Sequence, residues 1–244
     1  MPKDNLELNQ NREIDISTKS IAYLKENKKS FIETYLKYGK IGNPKIAIFT
    51  AGSSGAGKTE YAISRKEKEV NLIHIDTDEI RNFFIPIGYN GKNSNMFQQA
   101  SSKGVDILFK EAINRGFSVI LDTNFSNFNI AKINLTKALK HQYIIEIVYI
   151  LQDLDKCYEF AKIRESVTKR AVPKELIEKS FIRSTKTVIQ AKESFKNSII
   201  LNVIDRINNR FYKDISAHEF FEIIPTNLKE LLWLTKSICK KIKM

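Results

Sequence analysis

Residues 45–61 read KIAIFTAGSSGAGKTEY, and the fold turns on how this stretch is read. Ile46 to Thr50 is a short apolar run with the character of a buried strand. It breaks directly into Gly52-Ser53-Ser54-Gly55-Ala56-Gly57-Lys58-Thr59. The pattern G-x-x-x-x-G-K-[ST] is met at every fixed position. Glycines let successive backbone N–H groups turn inward and cradle phosphate oxygens. The helix that follows aims its positive end at the same anion. Lys58 can then reach β- and γ-phosphates, and the Thr59 hydroxyl can ligate Mg²⁺. The plain alternative is a glycine-rich turn before a helix, which makes no demand for Lys-Thr at its end. Gly52 to Thr59 therefore read as a phosphate cradle for a nucleotide.

The chain has 244 residues, 42% of them hydrophobic, which suits one domain with modest extensions. No run of about 18 apolar residues occurs, so no membrane span is expected. The opening MPKDNLELNQNREIDIS is polar and mixed in charge, unlike a secretory signal. Cys157 and Cys239 make neither a disulfide framework nor a metal cluster, and a reducing cytoplasm is the expected compartment. The net charge of +12 suits anionic partners: nucleotides, sugar phosphates, nucleic acid or an acidic protein. Lysines that merely solvate helix faces would give the same balance. The excess is spread out, densest at Lys236 to Lys243, and no basic patch interleaved with aromatics points to single-strand binding.

Residues 1–40 carry Ile21, Leu24, Phe31, Ile32, Tyr35 and Leu36 at roughly helical spacing. They predict a helix covering one side of a sheet, with a docking surface as the sharper alternative. Beyond the P-loop helix, about Lys58 to Glu69, a second apolar strand over Asn71 to Ile75 enters Asp76-Thr77-Asp78-Glu79-Ile80-Arg81. Carboxylates at the carboxyl end of a strand sit at the ligand edge of an open α/β sheet, where two acids and an arginine can supply a base and an anion clamp. Capping of the next helix by Asp76 or Thr77 is compatible with that. His74, inside the strand, reads as structural. Ile85 to Asn95 is turn-rich and predicts a mobile loop over a substrate. A long helix from about Ser94 to Arg115 follows, on which Asp106 could face the cleft.

Phe117 to Asp122, FSVILD, is an apolar strand ending in an acid, the Walker B form in which the Asp holds Mg²⁺ directly or through water. Thr123 and Asn124 come next at the same edge. A helix over about Phe128 to Lys140, a strand over Tyr143 to Ile150, two helices to about Phe195 and a strand over Ser198 to Ile204 complete the alternation. The pattern predicts a parallel five-stranded sheet flanked by helices, in the manner of P-loop kinases. Arg164, Lys169 and Arg170 cluster at the turn between the two helices, where arginines can close over a transferred phosphoryl group. Solvated basic residues would look the same by spacing. Three units are expected: an N-terminal helical extension (1–42), a P-loop core (43–204) with a lid at about 153–195, and a mostly helical C-terminal extension (205–244). In the last, Thr226 can cap an amphipathic helix carrying Leu228, Leu231, Leu232, Leu234 and Ile238.

GSSGAGKT, IDTDEIR, YNGKNSNMFQQASSKGVDILFKEAINRGFSVILDT and IRESVTKRAVPKELI occur in one order between about Lys45 and Ile204. Together they resemble the zeta toxins, P-loop kinases of bacterial toxin–antitoxin systems, with the third stretch most similar to a chromosomal, zeta-like branch. The resemblance implies transfer of the γ-phosphate of ATP, with Mg²⁺, to a hydroxyl. The family's preferred acceptor is the 3′-hydroxyl of the amino sugar in UDP-N-acetylglucosamine, and the product blocks cell-wall precursor synthesis. By this resemblance Lys58 and Thr59 are the P-loop pair and Asp78 is the catalytic base. Asp106 is a substrate-contacting acid, Asp122 is the acid closing the Walker B strand, and Arg164 and Arg170 are the transition-state arginines. Arg81 matches a basic position after the base, and Asp76, Thr123 and Asn124 fall on the substrate side. Asp106 and Asp122 stand where the family has Glu. Thr123-Asn124-Phe125-Ser126 replaces a Gly-Thr-Gly-Arg segment, so a substrate-side arginine has no counterpart. An antitoxin is an implied partner. The Asp-Thr-Asn ending is also similar to P-loop polynucleotide kinases. A nucleic-acid 5′-hydroxyl, another small molecule, or a regulatory ATPase role are therefore the alternatives.

Overall fold

A computed structural model describes residues 2–69 and 71–233. The apolar runs become strands β1 (Ile46–Gly52), β2 (Ile73–Asp76), β3 (Val119–Asp122), β4 (Ile144–Leu151) and β5 (Ile200–Asp205), joined by β6 (Arg210–Tyr212). The sheet order is β2-β3-β1-β4-β5-β6. The first five strands are parallel and β6 runs antiparallel to β5. The expected five-stranded parallel sheet is thus a six-stranded, mostly parallel one. Its sixth strand was illegible because it is three residues long, with Arg210 and Phe211 exposed, so no apolar run announces it. Asp205 makes the hairpin: its carboxylate accepts from the backbone N–H groups of Ile207 and Asn208. β1 is central, and Ala47, Ile48, Phe49 and Ala51 are buried, the continuous apolar run that a strand covered on both faces requires.

The helices are α1 (Pro2–Glu26), α2 (Lys28–Leu36), α3 (Lys58–Lys68), α4 (Thr77–Arg81), α5 (Gln98–Asn114), α6 (Phe128–Lys140), α7 (Leu154–Thr168), α8 (Lys174–Phe195), α9 (Ala217–Ile223) and α10 (Thr226–Trp233). The single N-terminal helical region expected is broken at Asn27 into α1 and α2. These cover α5 rather than the sheet itself, while α5 lies on β2 and β3. Leu24, Phe31 and Leu36 are buried there, and the Phe31 ring sits edge-on to Phe83 at 4.9 Å between centroids. Gly104 permits the approach, since a Cβ at that position would come within 2.9 Å of the Phe31 ring.

The turn-rich segment is tied to its surroundings by hydrogen bonds and close packing. Asn82–Ile87 forms a 3-10 turn, and Asn93 ties back to the Gly88 carbonyl and the Asn90 backbone N–H. Gly91 packs on the Thr168 carbonyl at the end of α7, with no room for a side chain. Ser216 and Glu219 form a reciprocal capping box that starts α9, whose Phe220 packs on Tyr149 of β4 at 4.7 Å. The C-terminal extension therefore contributes a strand as well as helices. Thr226 does not cap α10 but is its first residue: the Pro225 carbonyl accepts from Leu228 and Lys229. Leu234, Ile238, Cys239 and the Lys236 to Lys243 cluster lie outside the described residues.

Candidate active site

In a parallel α/β sheet the loops at the carboxyl ends of the strands meet where neighbouring connections diverge, and a crevice opens there. Here β1 is flanked by β3 and β4, and the crevice is a cleft of about 840 Å³. Its floor is the P-loop. Gly55 and Gly57 have φ of 80° and 95°, a region that disfavours side chains. A Cβ on Gly55 would also strike the Cys157 carbonyl of α7, and one on Gly57 would strike the Arg206 guanidinium. Three serine hydroxyls knit the loop to α8. The Gly52 N–H donates to Ser184 Oγ (2.7 Å), the Ser54 N–H donates to Ser180 Oγ (2.9 Å), and Ser53 Oγ donates to the Ile177 carbonyl (2.9 Å). Lys58, at the start of α3, donates to the Ser53 carbonyl at 2.6 Å. Burial lowers its ammonium to about 8, with Arg164 adding to the effect and Asp122 opposing it.

β2 ends in Asp76, whose Oδ1 accepts from the Asp78 N–H (2.9 Å) and caps α4. This cap holds Asp78 in the first turn, at the rim of the cleft. The Asp78 carboxylate is met by Arg164 Nη2 at 2.9 Å, by Arg170 Nη1 at 2.5 Å and by Arg81. Arg164 closes the C-terminal part of α7 and Arg170 follows Lys169, the left-handed residue that ends it. Arg81 is 1% exposed and also engages Gln98 Oε1. Its guanidinium is thus spent on holding Asp78, rather than standing open as an anion clamp.

Asp76 and Asp122 are opposite each other across β2 and β3. Their proton affinities are driven apart. Burial, then the charge of Asp122, raises Asp76 to about 6. Burial also opposes ionisation of Asp122, yet His74, Lys58 and Thr59 together hold its carboxyl below the usual range. Thr50, buried in β1, donates to Asp122 Oδ1 at 2.9 Å and accepts from the Thr123 N–H at 3.1 Å. The cleft lining also includes Asp106 from α5, whose carboxyl is pushed up by burial, together with Thr123 and Asn124. The Asn124 amide donates to Ser54 Oγ at 3.2 Å.

The cleft thus brings together Gly55, Gly57, Lys58, Thr59, Asp76, Asp78, Arg81, Asp106, Asp122, Thr123, Asn124, Arg164 and Arg170. Sequence reasoning missed Arg206, which reaches the Gly57 carbonyl at 3.4 Å, and the α8 serines beneath the loop. A signal for Arg206 existed: it follows the carboxyl end of β5, the position that singled out Asp76 and Asp122. The serines had none, because their partners lie 126 to 132 residues away.

A P-loop lysine at a helix start, an acid just past β2, and one arginine on α7 with another in the turn after it define the class of P-loop phosphotransferases. A family model described as "Zeta toxin" matches residues 32–216. The chain belongs to the zeta toxin family, whose members are ATP-dependent kinases. Among solved structures it is similar to a chain of the PezAT chromosomal toxin–antitoxin system of Streptococcus pneumoniae, with a TM-score of 0.64 at 18% identity over 91% of this chain and 96% of that one. It is similar to a chain of AvrRxo1-ORF1:-ORF2 with ATP, with a TM-score of 0.59 at 15% identity, over 88% of this chain and 70% of that one. A chain of the Pnkp1/Rnl/Hen1 RNA repair complex gives 0.51 at 16% identity, over 72% and 50%. At such identities these likenesses speak to the fold. No curated protein sequence matches the chain. Among the described residues, no helix is long and apolar enough to cross a membrane.

Proposed function

We propose that the protein transfers the γ-phosphoryl group of ATP to a hydroxyl of a small anionic acceptor, the 3′-hydroxyl of the amino sugar of UDP-N-acetylglucosamine, with Asp78 as the base. One observation carries the reading: Asp78, Arg164 and Arg170 converge within 2.9 Å at the rim of the P-loop cleft. A base beside two arginines suits transfer to a hydroxyl better than a nucleotide switch, which needs no base. The P-loop residues Gly52 to Thr59 hold the triphosphate. α7 and α8 with the turn between them, about 153–195, act as a lid, and Arg164 and Arg170 neutralise charge spread over the transferred group. Their side chains are 47% and 34% exposed, open enough to exchange Asp78 for phosphate oxygens. The hydroxyl proton passes to a carboxylate oxygen of Asp78 as the new O–P bond forms and ADP leaves. Asp106, Thr123 and Asn124 line the acceptor side, and Asp76 orients Asp78 through its backbone cap.

The donor set fits Mg²⁺. The Thr59 hydroxyl and the Asp122 carboxylate are hard oxygen ligands, and Asp122 Oδ2 is buried without a hydrogen-bond partner among the described residues. When bound there, Mg²⁺ would supply charge neutralisation at the β- and γ-phosphate oxygens. The family likeness further supports an antitoxin protein as partner and action in the cytoplasm.

Incubation with Mg-ATP and UDP-N-acetylglucosamine should yield a singly phosphorylated nucleotide sugar by mass spectrometry. Recovery of unmodified acceptor together with full ATP turnover would sink this acceptor. A second reading, a nucleic-acid 5′-hydroxyl acceptor, is favoured by Thr123 and Asn124 standing where the family places an arginine segment. It predicts labelling of a 5′-hydroxyl oligonucleotide in the same screen, weakened by added salt. In cells, expression should be toxic, and replacement of Lys58 should abolish that toxicity.

A further inference from the structure

β2 and β3 place Asp76 directly opposite Asp122. Side chains alternate along a strand, so His74 lies on the same face as Asp76. One donor atom each from His74, Asp76 and Asp122 consequently lies within 4.8 Å of the others. Two of the three are buried polar groups without a hydrogen bond at the atom in question. His74 Nε2 and Asp122 Oδ2 make no hydrogen bond among the described residues, and their side chains are 7% and 4% exposed. Native proteins pair nearly all such groups, and a ligand is one of the standard reasons for an exception. These two atoms face each other at 3.5 Å, long for an N–H···O bond, whose usual length is about 2.9 Å. That separation is close to the edge of a tetrahedron with a metal about 2.0–2.1 Å from each corner, the ordinary Zn–N and Zn–O distance. Each carboxylate has one oxygen already committed, Asp122 Oδ1 to Thr50 and Asp76 Oδ1 to the Asp78 N–H, which leaves the other for an ion.

We propose that His74, Asp76 and Asp122 form a binding site for a borderline divalent ion of the Zn²⁺ class. Filling it antagonises phosphoryl transfer by taking the Asp122 oxygen that Mg²⁺ would use. The imidazole sets the ion's identity. Mg²⁺ selects hard oxygen donors and keeps much of its water, whereas a site of one nitrogen and two carboxylate oxygens matches Zn²⁺, leaving a fourth place for water. Two carboxylates balance the charge of a dication. Asp76 and Asp122 line the cleft, so the ion has a path in, and His74 closes the site from behind. The binding half of the inference stands on this geometry alone and needs no particular acceptor.

The full chain, stripped with chelator, would be titrated with Zn²⁺ against a chromophoric chelator and separately loaded with Co²⁺. One equivalent of Zn²⁺ should bind, and Co²⁺ should give the intense visible bands of a four-coordinate site. His74→Gln and Asp76→Asn should each weaken Zn²⁺ by about 10–100-fold or more, the range seen even for residues around a metal's ligands. His141→Gln and His218→Gln, which alter the other two histidines, should leave it unchanged. Zn²⁺ should also inhibit transfer in the parent protein, and His74→Gln should relieve that inhibition. No stoichiometric binding would overturn the proposal, as would affinity undiminished from the parent protein in both site variants or loss with His218→Gln instead. Inhibition that persists in His74→Gln would overturn the antagonism. Should His74→Gln fail to fold, Asp76→Asn and the Co²⁺ spectrum of the parent protein decide the same question.

Discussion

The cleft lining divides by chemistry into a cationic side, Lys58, Arg164, Arg170 and Arg206, and an amide side, Asp106, Asn124, Asn127 and Asn134. The first side is built of cations and backbone N–H groups, the second of amides and one carboxylate. The difference follows from what each must do. A triphosphate carries dense negative charge that only cations and oriented dipoles can stabilise in a partly desolvated cleft. A hydroxyl acceptor needs placement within reach of the base, which hydrogen-bonding groups provide. The cationic side is therefore chemically specific, and the amide side is permissive. The zeta toxin family assigns the kinase; on the proposed reading, the amide side decides whose hydroxyl is used.

The division can be broken by experiment, starting where the effect is largest. Arg170→Ala should lower kcat by about 10³-fold with little change in KM for ATP, because an arginine at the transferred phosphoryl acts mainly in the transition state. Single-turnover rates would show it, and a loss confined to KM would place Arg170 in ground-state binding instead.

Lys58→Met should cost about 10²–10³-fold in kcat/KM, as expected for one preorganised donor. Its ammonium lies at about 8 rather than the usual 10.5, lowered by burial. Below pH 8 the lysine should be charged and ATP binding at its strongest, and as pH rises through 8 the charge should be lost before ATP arrives. The ATP dissociation constant should then weaken by up to about tenfold per pH unit above 8, and the Lys58→Met curve should be flat over that range. A pH-independent affinity in the parent protein would contradict the buried, depressed lysine.

Asp78→Asn should cost about 10²-fold in kcat, near the lower end for a general base, since a loose transition state asks little of proton removal. A loss exceeding that of Arg170→Ala would invert the ranking and make deprotonation the dominant demand. The smallest effect belongs to the amide side. Asp106→Asn should raise KM for the acceptor by about tenfold or less and leave KM for ATP unchanged. If it lowered kcat as much as the cationic variants do, the two sides would not be separate in function.

Much of the cationic side is legible in the order of residues alone. Apolar runs that end in Asp76 and Asp122 mark strands by composition and the ligand edge by their last residue. The α3 and α6 helices fall within a residue of their expected bounds. The missing pieces share a cause. β6 has three residues, two of them exposed. Arg206 acts 149 residues from its partner Gly57, and Ser184 acts 132 residues from Gly52. The N-terminal helices carry the right buried face, yet no local pattern says that Phe31 lies against Gly104 on α5 rather than on a strand.

What the sequence by itself determined is the phosphate cradle. Gly52 to Thr59 specify their own geometry, because positive φ, a helix start and a lysine one residue on are properties of adjacent residues. Tertiary structure alone decided what meets that cradle. Asp78 and Arg170 are 92 residues apart and touch only because α4 and the end of α7 converge over the same sheet edge. Arg81, a free cation on paper, is buried and spent on Asp78. His74, an ordinary strand residue in the chain, faces Asp122 only through the register of β2 and β3. Charges act through space, and the sheet order sets which charges share it.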